Sequence, residues 1–360
     1  MLASSDDNLM AARWQPKVSI HLKPLPELEQ LLQLHAQAGG LLQMHDLGRV
    51  SLGERELPLL AFTLGNADPS LPAVGYFGGV HGLERIGSEV VLAFLRSLVP
   101  RLRWDESLHR MLSAMRLVFM PLVNPGGLLM GTRANPNGVD LMRNAPISAE
   151  AGAPALVGGQ RISARLPWYR GPQGAAMELE SAALCKFVQE QLLPHRFSIA
   201  VDCHSGFGFV DRIWFPFAHT ARPIEHLAEL HALARIQDST LLHHRYMMEP
   251  QSRHYLCHGD LWDHLYLASR RDHGEHAFLP LTLEMGSWLW IKKNPRQLFS
   301  RYGIFNPLIE HRQQRVLRRH LVWLDFIARA AMSHERWRPQ GLAREQAREA
   351  ALDRWYRRQR

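Results

Sequence analysis

Cysteine is scarce: the 360 residues hold three, Cys185, Cys203 and Cys257. An odd, scattered set argues against a disulfide framework. None belongs to a CxxC pair, which argues against a structural zinc held by sulfur. No apolar run approaches the ~20 residues needed to span a bilayer. The opening residues, Met1 to Asp7, lack the basic start and apolar core of a secretory signal. A cytoplasmic chain without membrane contact is expected. Internal repeats and low-complexity segments are absent too.

What is present describes an ordinary globular chain. Hydrophobic residues make up 46% of it, a proportion typical of folded domains. The length allows one large α/β domain with small additions. The formal net charge is +8, and residues 335–360 alone carry eight Arg against four Asp or Glu. That tail reads as a solvated helix from Leu342 to Arg358. No aromatic–basic interleaving accompanies it, so nucleic acid is not an expected partner.

Strand-like and helical patterns alternate along the chain. Helices are expected at 25–38, 175–192, 222–236, 260–270 and 307–331, with another after Glu89. Buried or edge strands are expected at 41–51, 57–64, 73–77, 116–123, 197–203 and 279–283. The first two can pair as an edge hairpin. Between Leu128 and Gln173 the chain is rich in Gly, Pro, Asn and Arg, an irregular stretch of the kind that usually carries function. Such alternation implies a mainly parallel or mixed sheet covered on both faces.

Three strand ends carry chemistry. Gly78-Gly79-Val80-His81-Gly82-Leu83-Glu84 leaves the strand 73–77 through a glycine-rich turn. Val201-Asp202-Cys203-His204 ends a second strand, and Leu281-Thr282-Leu283-Glu284 a third. In α/β sheets the strand ends are where ligands bind. A His and a Glu three apart are common by chance, and a strand-end Glu can be a buried ion pair with Arg. Together, two His and one Glu form a catalytic zinc site with an open position. A further Glu supplies a general base for water. The loop from Gly131 to Asn144 adds Arg133 and Arg143, suited to polarising a carbonyl and clamping a carboxylate.

This order of motifs resembles the zinc metallocarboxypeptidase family of the carboxypeptidase A type, from about Phe77 to Gly286, in a divergent bacterial-type form. The resemblance implies a twisted mixed sheet of about eight strands covered by helices on both faces. It implies one Zn²⁺ per chain on His81, Glu84 and His204, with Glu284 as base. Arg133 would polarise the scissile carbonyl, while Arg143 and Asn144 would hold the substrate's terminal carboxylate. Asp140 would fix the tautomer of His81. Tyr255 would cap the substrate, with Tyr246 and Tyr266 as alternatives, and Trp262 would form the pocket floor. The expected division is an N-terminal extension and edge hairpin at 1–65, a catalytic domain at 66–335 and a basic helical tail at 336–360.

One departure bears on substrate. The family usually has Asn before the carboxylate-binding Arg, and here that residue is Met142, which donates no such hydrogen bond. The expected activity is zinc-dependent hydrolysis of an amide, foremost at the C-terminus of a peptide. A deacylase or amidase acting on a small amide and a non-catalytic binding module are the alternatives. Lys292 and Lys293 near Glu284 leave an acidic substrate group open, and the oligomeric state is not legible.

Overall fold

The apolar runs of the sequence become the middle of one twisted sheet. The computed structural model describes residues 25–150, 152–243 and 245–357. Residues 1–24 of the expected N-terminal extension, including the stretch Met1 to Asp7, and 358–360 of the tail lie outside the described residues. The strands are β1 (Gln43–Leu52), β2 (Arg55–Gly65), β3 (Ala73–Gly78), β4 (Arg116–Met120), β5 (Phe197–Ser205), β6 (Arg212–Phe215), β7 (Met247–Pro250) and β8 (Ala277–Met285). They lie in the order β1-β2-β4-β3-β5-β8-β6-β7. Neighbours among β4, β3, β5 and β8 pair in parallel, while β2 joins β4 and β6 joins β8 antiparallel. Strands β3, β4 and β5 are buried along their whole length, as parallel strands covered on both faces must be.

The helices among the described residues are α1 (Pro26–Gln37), α2 (Arg85–Leu98), α3 (Glu106–Ser113), α4 (Pro125–Met130), α5 (Leu179–Gln191), α6 (Leu227–Thr240), α7 (Leu261–Asp272), α8 (Trp288–Lys293), α9 (Glu310–Met332), α10 (His334–Trp337) and α11 (Gly341–Trp355). Two adjacent residues of β3 identify the two faces. The Tyr76 hydroxyl donates to the Leu324 carbonyl of α9 at 2.9 Å. Phe77 packs edge-on against Trp262 of α7, with centroids 5.1 Å apart. Successive strand residues point to opposite faces, so α9 and α7 cover opposite sides.

The β1–β2 hairpin extends the edge of the sheet, joined through β2 and β4. The C-terminal part differs from expectation. The expected boundary at 335 falls inside α10. The basic tail is packed rather than appended. Trp355 is buried, meets Phe215 edge-on at 4.9 Å and donates its indole N–H to the Met248 carbonyl at 2.7 Å. Strands β6 and β7, four residues each, are too short to show alternation in the sequence. No described helix is long and apolar enough to cross a membrane.

Candidate active site

The site forms where β3, β5 and β8 end. The turn after β3 needs Gly82, because a Cβ there would lie 1.9 Å from the Gly127 carbonyl carbon. That close approach seats the turn on α4. Asn306, which the sequence reading passed over, holds the turn from outside. Its amide donates to the Leu83 carbonyl at 2.7 Å, and its oxygen accepts from the Ile86 N–H at 2.9 Å.

Inside the turn, Glu84 sits between the two histidines. His81 Nδ1 lies 3.0 Å from Glu84 Oε1, and His204 Nδ1 lies 3.2 Å from Oε2. The Ser205 N–H also donates to Oε2, at 3.0 Å. One ligand atom from each of His81, Glu84 and His204 falls within 4.8 Å of the others. Each ring turns its other nitrogen to a carboxylate. His81 Nε2 meets Asp140 Oδ1 at 3.1 Å, and His204 Nε2 meets Asp202 Oδ2 at 2.7 Å. Those acceptors place a proton on each Nε2 and leave Nδ1 facing Glu84. Burial opposes the charge on Glu84, yet His81 and His204 hold its carboxyl well below the usual range. Burial also opposes charge on His204, and Asp202 and Glu84 outweigh it, raising its pKa well above the ordinary value. A proton held there marks a position that favours a cation. Two imidazoles and one carboxylate, buried and backed by hydrogen-bonded acceptors, fit zinc.

Asp202 was not singled out in the sequence. Its signal was the strand period of two, which puts it on the same face as His204. The register pairs His204 with Glu284 and Asp202 with Thr282 across β5 and β8. Glu284 therefore stands beside His204, partly open to solvent. Packing around it, with Glu84 and Asp202 adding their charge against His204 and Arg133, pushes its carboxyl up to about 8. A carboxyl in that range is suited to exchanging protons near neutral pH.

Arg133 binds Asp140 Oδ2 through Nε at 2.8 Å and reaches Glu84 Oε1 at 3.3 Å. Arg143 is only 3% exposed. It donates to the carbonyls of Met142 at 3.2 Å and Val157 at 3.4 Å, and to the Tyr255 hydroxyl at 3.4 Å. Its guanidinium lies 5.9 Å from the centre of the Tyr255 ring. Among the described residues it forms no ion pair. Gly259 is required beneath it, since a Cβ there would meet the Arg143 carbonyl oxygen at 1.9 Å.

Two expected site residues, Asn144 and Trp262, are engaged elsewhere. Asn144 spends its side chain on backbone, donating to the Arg170 carbonyl at 3.0 Å and accepting from the Glu178 N–H at 2.7 Å. It ties the loop rather than facing substrate. Met142 is buried in the core. Trp262 is not an open pocket floor: its indole N–H donates to Asp202 Oδ2 at 2.9 Å, behind His204. Of the alternatives to Tyr255, Tyr246 bonds His320 Nδ1 at 3.0 Å and Tyr266 accepts from the His226 N–H at 3.2 Å. Both are buried in the core.

With an eight-stranded mixed sheet and a His-Glu-His cluster at its strand ends, the molecule has the architecture of a zinc peptidase. The family profile of zinc carboxypeptidases matches residues 28–286. The chain belongs to that family. Among curated proteins it is similar to the carboxypeptidase N catalytic chain of Rattus norvegicus, 32% identical over 132 residues. That match covers 32% of this chain and 28% of the relative. Among solved structures, thrombin activatable fibrinolysis inhibitor superposes with a TM-score of 0.64 at 19% identity, over 85% of this chain and 74% of that one. Carboxypeptidase A from Helicoverpa armigera gives 0.63 at 16% identity, over 87% and 74%. These two share the fold.

Proposed function

We propose that this chain is a zinc-dependent metallocarboxypeptidase that releases the C-terminal residue of a peptide. His81, Glu84 and His204 hold the zinc, which supplies a Lewis acid and makes water more acidic. Glu284 takes a proton from the attacking water and passes it to the leaving amine. Arg133, on the rim beside Glu84, donates to the carbonyl oxygen as charge builds there. Asp140 keeps both Arg133 and His81 oriented. Tyr255 closes over the substrate beside Arg143.

One observation carries the exopeptidase reading. Among the described residues Arg143 is a buried guanidinium with carbonyl and phenol partners but no direct ion pair. Asp140 and Asp260 favour its charge without bonding to it, so a direct anionic partner is open, and a substrate carboxylate fills that place. Hydrolysis of matched free-acid and amidated peptides tests it. The free acid should be preferred about ten- to a hundredfold, the worth of a hydrogen bond to a charged group. Equal rates on both forms favour an amidase or deacylase instead, the reading that Met142 keeps open by offering no second donor.

A nucleic-acid role for the basic tail is not part of this proposal. Arg344, Arg354 and Arg357 pair with Glu229, Asp238 and both Glu349 and Asp353. A cytoplasmic location belongs to the same proposal and rests on three free, buried cysteines.

A further inference from the structure

The two proposed histidine ligands are backed in different ways. Asp140, behind His81, is also bound by Arg133 at 2.8 Å. Among the described residues, Asp202, behind His204, meets no cation other than the imidazole itself. It is fully buried, and its Oδ2 receives both the His204 ring at 2.7 Å and the Trp262 indole at 2.9 Å. Its Oδ1 has no hydrogen-bond partner among the described residues. With one oxygen unpaired, the orientation of this carboxylate rests on the two hydrogen bonds that its other oxygen accepts. Trp262 is 3% exposed and is held through both its ring and its backbone. Its ring packs on Phe77 of β3, and α7, which carries it, begins at a helix cap where Asp260 accepts from the Trp262 and Asp263 N–H groups at 3.0 and 2.9 Å.

We propose that Trp262 and Asp202 form a brace that holds His204 with Nδ1 facing Glu84, and that this brace sets how tightly the chain keeps its metal. Both are positioning residues: Trp262 acts on Asp202, and Asp202 acts on His204. The brace rests on the zinc reading given above. It also gives Trp262 a role in metal retention in place of one in selecting the substrate side chain.

The test is zinc affinity of the full chain, measured by chelator competition. Trp262→Phe keeps the ring on Phe77 and removes only the N–H donor. Its dissociation constant for zinc should rise about tenfold, and that of Asp202→Asn about 10- to 100-fold, the usual cost of losing such a supporting partner. The zinc-free Tm of Trp262→Phe should stay near that of the parent. Because Trp262 works through Asp202, adding Trp262→Phe to Asp202→Ala should change zinc affinity no further. Parental zinc affinity in Trp262→Phe, or full additivity in the double variant, overturns the brace. If Trp262→Phe fails to fold, Asp202→Asn decides, and parental affinity there overturns it equally. A parent chain that binds no zinc defeats the proposed function itself. A parent that binds zinc, loses it on His204→Ala and keeps it in Trp262→Phe defeats only the brace.

Discussion

The His81 and His204 sides of the site reach the same local geometry by opposite means. On the His81 side the supports come from loops: a turn supplies Glu84 three residues on, and the Arg133 loop supplies Asp140, 59 residues away. The charge of Asp140 is answered by a guanidinium that also reaches Glu84. On the His204 side the supports come from regular structure: Asp202 lies one strand period away on β5, and Trp262 lies on α7. There the carboxylate is answered by a neutral indole. Under the proposed mechanism the first arrangement couples metal binding to the reaction, since Arg133 would serve both. The second supports the metal through residues to which that mechanism gives no contact with substrate. Changes near His81 should disturb turnover and metal together, and changes behind His204 should disturb the metal first.

The largest effect expected is on neither side but between them. Glu284→Gln keeps size and cannot take a proton, so turnover should fall roughly 10²–10⁴-fold while zinc content stays near one per chain. Zinc loss in that variant places Glu284 among the ligands and removes its role as base. Next comes Arg133→Ala, which strips the cation from Asp140. It should lower kcat about 10²-fold or more, as removal of a donor to a developing oxyanion does, and weaken zinc as well. If kcat falls with zinc affinity unchanged, the coupling drawn for the His81 side is wrong.

A smaller effect separates Arg143 from both sides. Arg143→Ala should raise KM for free-acid peptides and abolish the preference over amidated ones, with zinc content unchanged. Retention of that preference assigns carboxylate recognition to another residue.

The smallest effect is read in the zinc-free protein. The Glu284 carboxyl is raised from 4.5 to about 8 in the fold. Between those values the folded chain holds a proton that the unfolded chain has lost. Stability contributed by this group is therefore greatest at low pH and falls as pH rises toward 8. Glu284→Gln removes that dependence, so its Tm should exceed the parent's at pH 8.5 by more than at pH 5. Parallel Tm curves for the two proteins contradict the raised carboxyl.

How much of this was legible in the sequence follows the same division. His81 with Glu84, and the loop carrying Arg133 and Arg143, announce themselves by type and short spacing, whereas the place of Asp140 follows only from the resemblance of the motif order to a known family. The central strands were readable because burial on both faces leaves near-continuous apolar runs. Asp202 and Asn306 were not. Asp202 looked like one polar residue in an apolar strand, and its use depends on the face it shares with His204. Asn306 holds the Glu84 turn from 220 residues away in sequence to the Ile86 N–H. The place of Asn144 next to Arg143 suggests substrate contact, whereas both ends of its amide bond the loop backbone. Trp262 was misplaced because spacing along a segment does not tell which way an indole points.

The most direct measurement is mass spectrometry of a free-acid peptide incubated with the zinc-loaded chain. The expected product is the peptide shortened by one C-terminal residue, with cleavage stopped by a chelator, restored by added zinc and nearly abolished in Glu284→Gln. Cleavage that persists undiminished with chelator and in Glu284→Gln, or that begins at an internal bond, contradicts the zinc carboxypeptidase account.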